Sequence, residues 1–260
     1  MPRYLPFLDG SYSTAPGLTA MGKANAEEQF VFQIDEQYGD FIENKRQCRQ
    51  ERLNKYYLEE KFYPETIAAV NRFLVDRLAA EYPEYFRPQG LLTLHNKRTG
   101  EMLEWKEDWI NIQDGRYASL FDALCSQVPE DIAVCQLEGM RDWLAAIHLS
   151  APNHWAPGDK IGKPFGEVHG PVPGMEKLNQ HYFKMLDTAV RKGPFIRYAW
   201  GIATDTRLNH HPDAPPGTDP VYWQGRRVED GDAPTYVRVE RQAIVGLPEC
   251  NAFIFTIRTY

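Results

Sequence analysis

Two histidines, His154 and His169, fall in SAPNHWAPGDKIGKPFGEVHGPVPG, residues 150–174. Pro152, Pro157, Pro164, Pro171 and Pro173 stiffen this stretch, and Gly158, Gly162, Gly166, Gly170 and Gly174 punctuate it. A loop with little conformational freedom left to lose holds a side chain at a defined point. Imidazole is the commonest nitrogen ligand for iron, and a haem iron needs only one, held in a fixed orientation. His169, between Val168 and Gly170-Pro171, meets that need; the competing reading is a histidine that only hydrogen-bonds the loop backbone. His154 meets it less well. The pair His210-His211 lies in a stretch rich in Pro, Gly and Asp and is expected to face solvent. His95, His148 and His181 follow turn or element patterns and are expected to be structural.

A second chemical candidate is YVRVERQ. Strand alternation puts Arg238, Glu240 and Gln242 on one face and Val237, Val239 and Arg241 on the other. If a face lines a pocket, Arg238 or Arg241 could pair bidentately with carboxylates, and Glu240 could hold an ammonium group. Trp200 and Tyr198 in the preceding run could wall an amine through cation–π contact. An edge strand with a solvated charged face is the alternative. Cys48, Cys125, Cys135 and Cys250 form no C-x-x-C pair, so they are expected to be reduced thiols and not a zinc or iron–sulfur cluster.

The elements that must carry these residues begin with an extended arm of about twenty residues. Ile34, Tyr38, Phe41, Ile42 and Leu53 then follow helical spacing. A second helix is predicted over 65–81, with Pro64 before it and Pro83 after it. Glu43, Lys45, Arg46 and Arg49 on the first helix, and Arg72, Asp76 and Arg77 on the second, are expected to form solvated faces. After Leu91, LLTLHN and MLEWK flank the bend KRTGE as a hairpin. IAVCQL (132–137) and WLAAIHLS (143–150) form another. A helix is predicted over 175–192, then strands over 195–203, 235–245 and 252–260. The segment 209–234 between the first two of these strands is expected to be a long surface loop, either a lid or an insertion. Helices followed by a mainly antiparallel sheet make an α+β fold: 1–90 mainly helical and 91–260 sheet-rich, in one domain.

The chain has 260 residues with 43% hydrophobic content, enough for a sizeable core without staples. Its formal net charge of −7 and the absence of a long Lys/Arg run speak against nucleic acid. No run approaches the ~20 apolar residues of a membrane helix. MPRYLPFLDG has no signal-peptide pattern, so a cytoplasmic protein is expected. G-x-G-x-x-G, the P-loop, G-x-S-x-G and H-E-x-x-H are all missing, which leaves dinucleotide, phosphoryl, hydrolase and zincin chemistry without their carriers.

Four stretches together carry a resemblance: HW-x-P-G-D-K-I-G-K-P…V-H-G-P-V-P (154–173), V-R-V-E-R-Q…L-P…F-x-I-R-T-Y (237–260), MGKANAEEQFVFQIDEQYGDF (21–41) and the AAEYPEYF that ends at residue 86. The sequence resembles the haem-binding α-subunit family of the haem-dependent oxidative N-demethylases, or dimethylamine monooxygenases, over nearly its whole length. The resemblance implies a PAS-like domain that binds haem b. It also implies O2 and a small secondary amine as reactants, with electrons from a separate NAD(P)H-dependent reductase carrying flavin and a 2Fe-2S cluster. Carried onto this chain, it makes His169 the first choice for the iron ligand, with His154 as the other candidate. Lys160, Arg238 and Arg241 become contacts to propionates or pocket, and Glu240 and Trp200 become docking groups for the amine. Association into an oligomer is left open. The rival reading from another class is a PAS-like haem sensor or carrier without turnover.

Overall fold

The computed structural model describes residues 17–169, 182–227 and 234–260, with Glu27 by its backbone alone. Strand β1 (Thr19–Ala20) leads to α1 (Tyr38–Tyr56), β2 (Tyr57–Glu59) and α2 (Pro64–Glu81). Next come β3 (Phe86–Pro88), β4 (Thr93–Asn96), β5 (Glu101–Glu104) and α3 (Leu120–Cys125). The hairpin β6 (Asp131–Glu138) and β7 (Arg141–His148) precedes a one-turn α4 (Phe165–Val168) and α5 (Tyr182–Lys192). Finally β8 (Phe195–Ala203), a short α6 (Pro220–Gln224), β9 (Tyr236–Leu247) and β10 (Ala252–Thr259) complete the described chain. The fold is α+β, as the sequence pattern predicts: an antiparallel seven-stranded sheet in the order β1-β8-β9-β10-β6-β7-β2, and a three-stranded sheet β3-β4-β5.

The two faces of the large sheet do different work. Directly opposed residues on antiparallel strands share a face, so the pairs Ile196↔Ala243, Ala243↔Thr256 and Ile254↔Val245 stand on one side. That side joins the main core, with Val70, Leu74 and Leu78 of α2. On the other side, Leu186, Ala189 and Val190 of α5 pack on Phe253. Farther along the same side, Ala133, Leu144, Ile147 and Leu149 carry Trp155 and Ile161. Helix α5 rides close to β9: a Cβ on Gly246 would lie 2.0 Å from the Val190 carbonyl oxygen. Only glycine permits that approach.

Several expectations of solvent exposure need correction. Lys45 is 1% exposed. Its ammonium donates to the carbonyls of Cys125 (2.8 Å) and Glu130 (2.6 Å), with Asp131 at 3.9 Å. The last carbonyls of a helix lack intrahelical partners, and at the end of α3 Lys45 supplies one. Arg49 pairs with buried Asp122 and donates to the Arg116 carbonyl at 2.7 Å. Arg72 and Asp76 do face solvent. His210 and His211, expected in solvent, are 5% and 3% exposed. The segment that holds them is drawn onto α1: Asn209 donates to the Tyr56 hydroxyl at 2.9 Å, and Lys55 to the Asp213 carbonyl at 2.8 Å. Trp223 of α6 donates its indole N–H to the His211 carbonyl at 2.6 Å. A helical turn therefore interrupts the predicted loop. Residues 1–16, 170–181, including His181 and the start of the predicted 175–192 helix, and 228–233 lie outside the described residues.

Candidate functional site

The less covered region of the large sheet is the β8–β9–β10 end of the face on which α5 and the 150–169 loop lie. Arg197, Ala199 and Gly201 of β8 oppose Gln242, Glu240 and Arg238 of β9. Glu240 and Gln242 in turn oppose Thr259 and Ile257 of β10. Arg197, Ala199, Gly201, Glu240, Phe255 and Ile257 are half-buried, whereas their strand neighbours on the core face of β9 and β10 are buried. Ala199 and Gly201 leave the face low: a Cβ on Gly201 would meet nothing within 4 Å.

The 150–169 loop is fastened before it reaches this face. Asp131 accepts the backbone N–H of Ser150 (2.7 Å) and Ala151 (2.9 Å) at its root. Leu144 of β7 exchanges hydrogen bonds with the loop, donating to Lys163 at 3.0 Å and accepting from Gly162 at 2.9 Å. Trp155 packs on the sheet, and the Lys160 ammonium lies 3.7 Å from the centre of its ring. Burial pulls the Lys160 pKa down while Glu240 and Asp159 pull it up.

Pro164 opens α4, and the Phe165 N–H is capped by the Asp142 carboxylate at 2.6 Å. One turn later, His169 Nδ1 lies 3.0 Å from the Phe165 carbonyl. Its ring also leans on the Phe165 ring, with centroids 4.0 Å apart. A carbonyl only accepts, so Nδ1 carries the hydrogen and Nε2 presents a lone pair. Burial, with the cations Lys160 and Arg197 nearby, pushes the His169 pKa down to about 4. The ring is neutral at physiological pH.

Glu240 accepts from Gln242 Nε2 at 3.1 Å and faces Arg238 Nε at 4.0 Å. Burial raises its pKa against the pull of Arg238 and Lys160. Arg197, which the sequence reading did not single out, stands in the same field: burial lowers its pKa and Glu240 raises it. Its Nε is buried with no hydrogen-bond partner among the described residues. Alternation in FIRYAWGIA could have found it, because Arg197 shares a face with the small residues Ala199 and Gly201.

His169, Lys160, Glu240 and Arg197 thus form one electrostatic neighbourhood. Arg238 borders it, yet most of its donors are taken, by the carbonyls of Ala151 (2.7 Å), Leu208 (3.2 Å) and Arg207 (3.3 Å) and by the Thr259 hydroxyl (3.2 Å). Arg241 is on the opposite face and fully buried, bonded to the Glu28 carboxylate (2.6 Å) and to the carbonyls of Glu28 and Phe30 (both 2.8 Å). Trp200, opposite Val239, shares that far face, so the sheet separates it from Glu240. His154 stacks on His210 with centroids 5.0 Å apart, and His210 Nε2 lies 2.8 Å from Asp205. The charged groups that act on the His154 ring are Arg238, Asp205 and Arg207.

Compared with known protein families, residues 22–260 match the family described as haem-dependent oxidative N-demethylase, alpha subunit-like. The chain belongs to that family. A haem suits the residues present in this N-demethylase-like chain. His169 offers a neutral imidazole whose Nε2 makes no hydrogen bond among the described residues, and Lys160 and Arg197 offer cations for two propionates. Phe165, Phe255, Ile257 and the low Ala199–Gly201 strip offer apolar walls. Among the described residues no group of three His, Cys, Asp or Glu side chains could hold a bare metal ion; a haem asks only one ligand of the protein. No described helix is long and apolar enough to cross a membrane.

Proposed function

We propose that this chain is a single PAS-like unit over 1–260 that binds haem b against the β8–β9–β10 face and oxidatively N-demethylates a small secondary amine resembling dimethylamine. O2 is the oxidant, and electrons come from a separate NAD(P)H-dependent reductase with flavin and a 2Fe-2S centre. The four unpaired thiols suit a reducing cytoplasm. The observation that carries the reading is His169: a neutral imidazole whose Nδ1–H is fixed by the Phe165 carbonyl, beside two desolvated cations and a carboxyl group. A ligating histidine oriented through its other ring nitrogen is the usual way a protein fixes the tautomer and aim of a metal ligand.

When bound, haem supplies oxygen binding and the electron transfers of the oxidation. The chain supplies the rest. His169 Nε2 would hold the iron, with the Phe165 carbonyl and ring fixing the imidazole. Lys160, held over Trp155, and Arg197 neutralise propionates. Glu240 docks the ammonium of the substrate or takes its proton, because burial holds this carboxyl above its ordinary pKa. Arg238 and Gln242 keep Glu240 in place. The loop closes the face against bulk water. The overall reaction would convert dimethylamine, O2, two electrons and two protons to methylamine, formaldehyde and water.

The test is a single turnover. Haem-loaded, ferrous chain is mixed with aerated buffer containing dimethylamine and one equivalent of a reduced 2Fe-2S protein, which gives the second electron that ferrous haem lacks, and formaldehyde is measured. Formaldehyde in proportion to haem is expected. A chain that holds haem and answers O2 and carbon monoxide in its spectrum, yet yields no formaldehyde, is a sensor or carrier and overturns the demethylase reading.

A further inference from the structure

Helix α1 presents Lys45, Arg46 and Arg49 to a cleft of about 230 Å3 whose far wall carries Arg116 and Tyr117. Four cationic groups line it with one carboxylate, Glu101, and each cation has an acidic partner: Lys45 with Asp131, Arg46 with Glu43, Arg49 with Asp122 and Arg116 with Asp114. None of these side chains belongs to the β8–β9–β10 face. Two of the cations are fixed by the fold. Lys45 is anchored on the carbonyls of Cys125 and Glu130, and Arg49 on Asp122 and the Arg116 carbonyl. The other two are free to move: Arg46 and Arg116 have side chains 53% and 59% exposed, paired with Glu43 and Asp114 close by in sequence. Exposed pairs of that kind contribute about 0–1 kcal/mol and exchange partners readily. Glu101 accepts from the Tyr117 hydroxyl at 2.5 Å and Gln127 at 3.2 Å, and it lies 4.0 Å from Arg116. Arg49 and Arg116 both lie against the Tyr117 ring, 4.8 and 5.6 Å from its centre, which holds their guanidinium groups at the cleft.

We propose that this cleft binds a phosphate group, as the free anion or as the phosphoryl end of a small phosphomonoester. Donors reach the space from α1 on one side and from Arg116 on the other. A carboxylate offers its acceptors in one plane, whereas a phosphate offers them around a tetrahedron and carries a second charge. Two preset cations, and two that can leave the exposed carboxylates of Glu43 and Asp114 to swing in, suit such a ligand.

Isothermal titration of the full chain with inorganic phosphate at low ionic strength tests this. One saturable site per chain is expected, weakening as salt rises. The double variant Arg46→Gln, Arg116→Gln is expected to bind about tenfold more weakly. Both residues are exposed, so the variant keeps its fold, which circular dichroism verifies. A parallel titration with glycerol 3-phosphate separates the sources: tighter binding assigns a phosphomonoester, and equal or weaker binding assigns the free anion. Failure to saturate in the millimolar range, or equal binding by the double variant, overturns the site.

Discussion

Gly246→Ala is the substitution whose cost follows most directly from the packing. The added Cβ would stand 2.0 Å from the Val190 carbonyl oxygen, 2.5 Å from its carbon and 2.6 Å from the Ala189 oxygen. Ordinary contact begins near 3.4 Å, and the obstacles are backbone atoms of α5 that cannot rotate away. Helix and strand must therefore part by more than an ångström. Overpacking costs ~1–3 kcal/mol where side chains can adjust, and a backbone obstacle puts this site at the upper end, about 3 kcal/mol. For a chain of this size each kcal/mol moves Tm by ~2–4 °C, so the loss is roughly 6–12 °C in a calorimetric scan. The same retreat loosens the cluster in which Leu186, Ala189 and Val190 share contacts with Phe165, the residue that holds His169. Faster loss of haem to an acceptor globin should accompany the lower Tm. Gly39→Ala is the control, adding one methyl group inside α1 where a Cβ meets nothing within 4 Å. A Gly246→Ala protein melting within about 1 °C of wild type would refute the α5–β9 packing and with it the boundary of the site.

Other outcomes follow from the same contacts. Arg241→Met leaves Glu28 buried without its partner and should destabilise the chain by ~3–5 kcal/mol in urea unfolding, while the spectrum of the folded, haem-loaded protein is unchanged. Glu240→Gln should retain haem but lose about 100-fold or more in single-turnover formaldehyde release; loss of haem instead would make Glu240 a cofactor contact. Burial lowers the pKa of His148 below its ordinary 6.5, against the pull of Asp122. The unfolded chain therefore binds the extra proton first, and stability falls as pH drops through about 6.5. Urea midpoints at about pH 7.5 and about pH 5.5 should differ less for a His148→Gln chain than for wild type.

Much of the architecture was legible because it is local. The apolar runs IAVCQL and WLAAIHLS, the turn at Gly139, and the β-rich runs at 195–203 and 252–260 each specify a strand without distant help. Pro64 and the Ile67–Leu78 spacing did the same for α2. The 150–174 loop was visible as a rigid carrier of histidine, and the structure brings His169 together with Lys160 and Glu240. What could not be read depends on remote partners. YVRVERQ has an arginine on each face, and the inward burial of Arg241 depends on Glu28, 213 positions away. Lys45 looked like one more surface charge until carbonyls from α3 and the start of β6 arrived beside it. Arg197 lay hidden among aromatic residues, although its strand parity with Gly201 marked it.

The most direct measurement is the absorption spectrum of the haem-loaded protein, ferric and ferrous, for wild type and His169→Ala, with and without added imidazole. His169 as the iron ligand predicts a shifted, weakened Soret band and easy haem loss in the variant. Imidazole should then restore the wild-type bands by entering the space left by the side chain. Full haem occupancy with an unchanged spectrum in His169→Ala would contradict the assignment and move the iron to another residue.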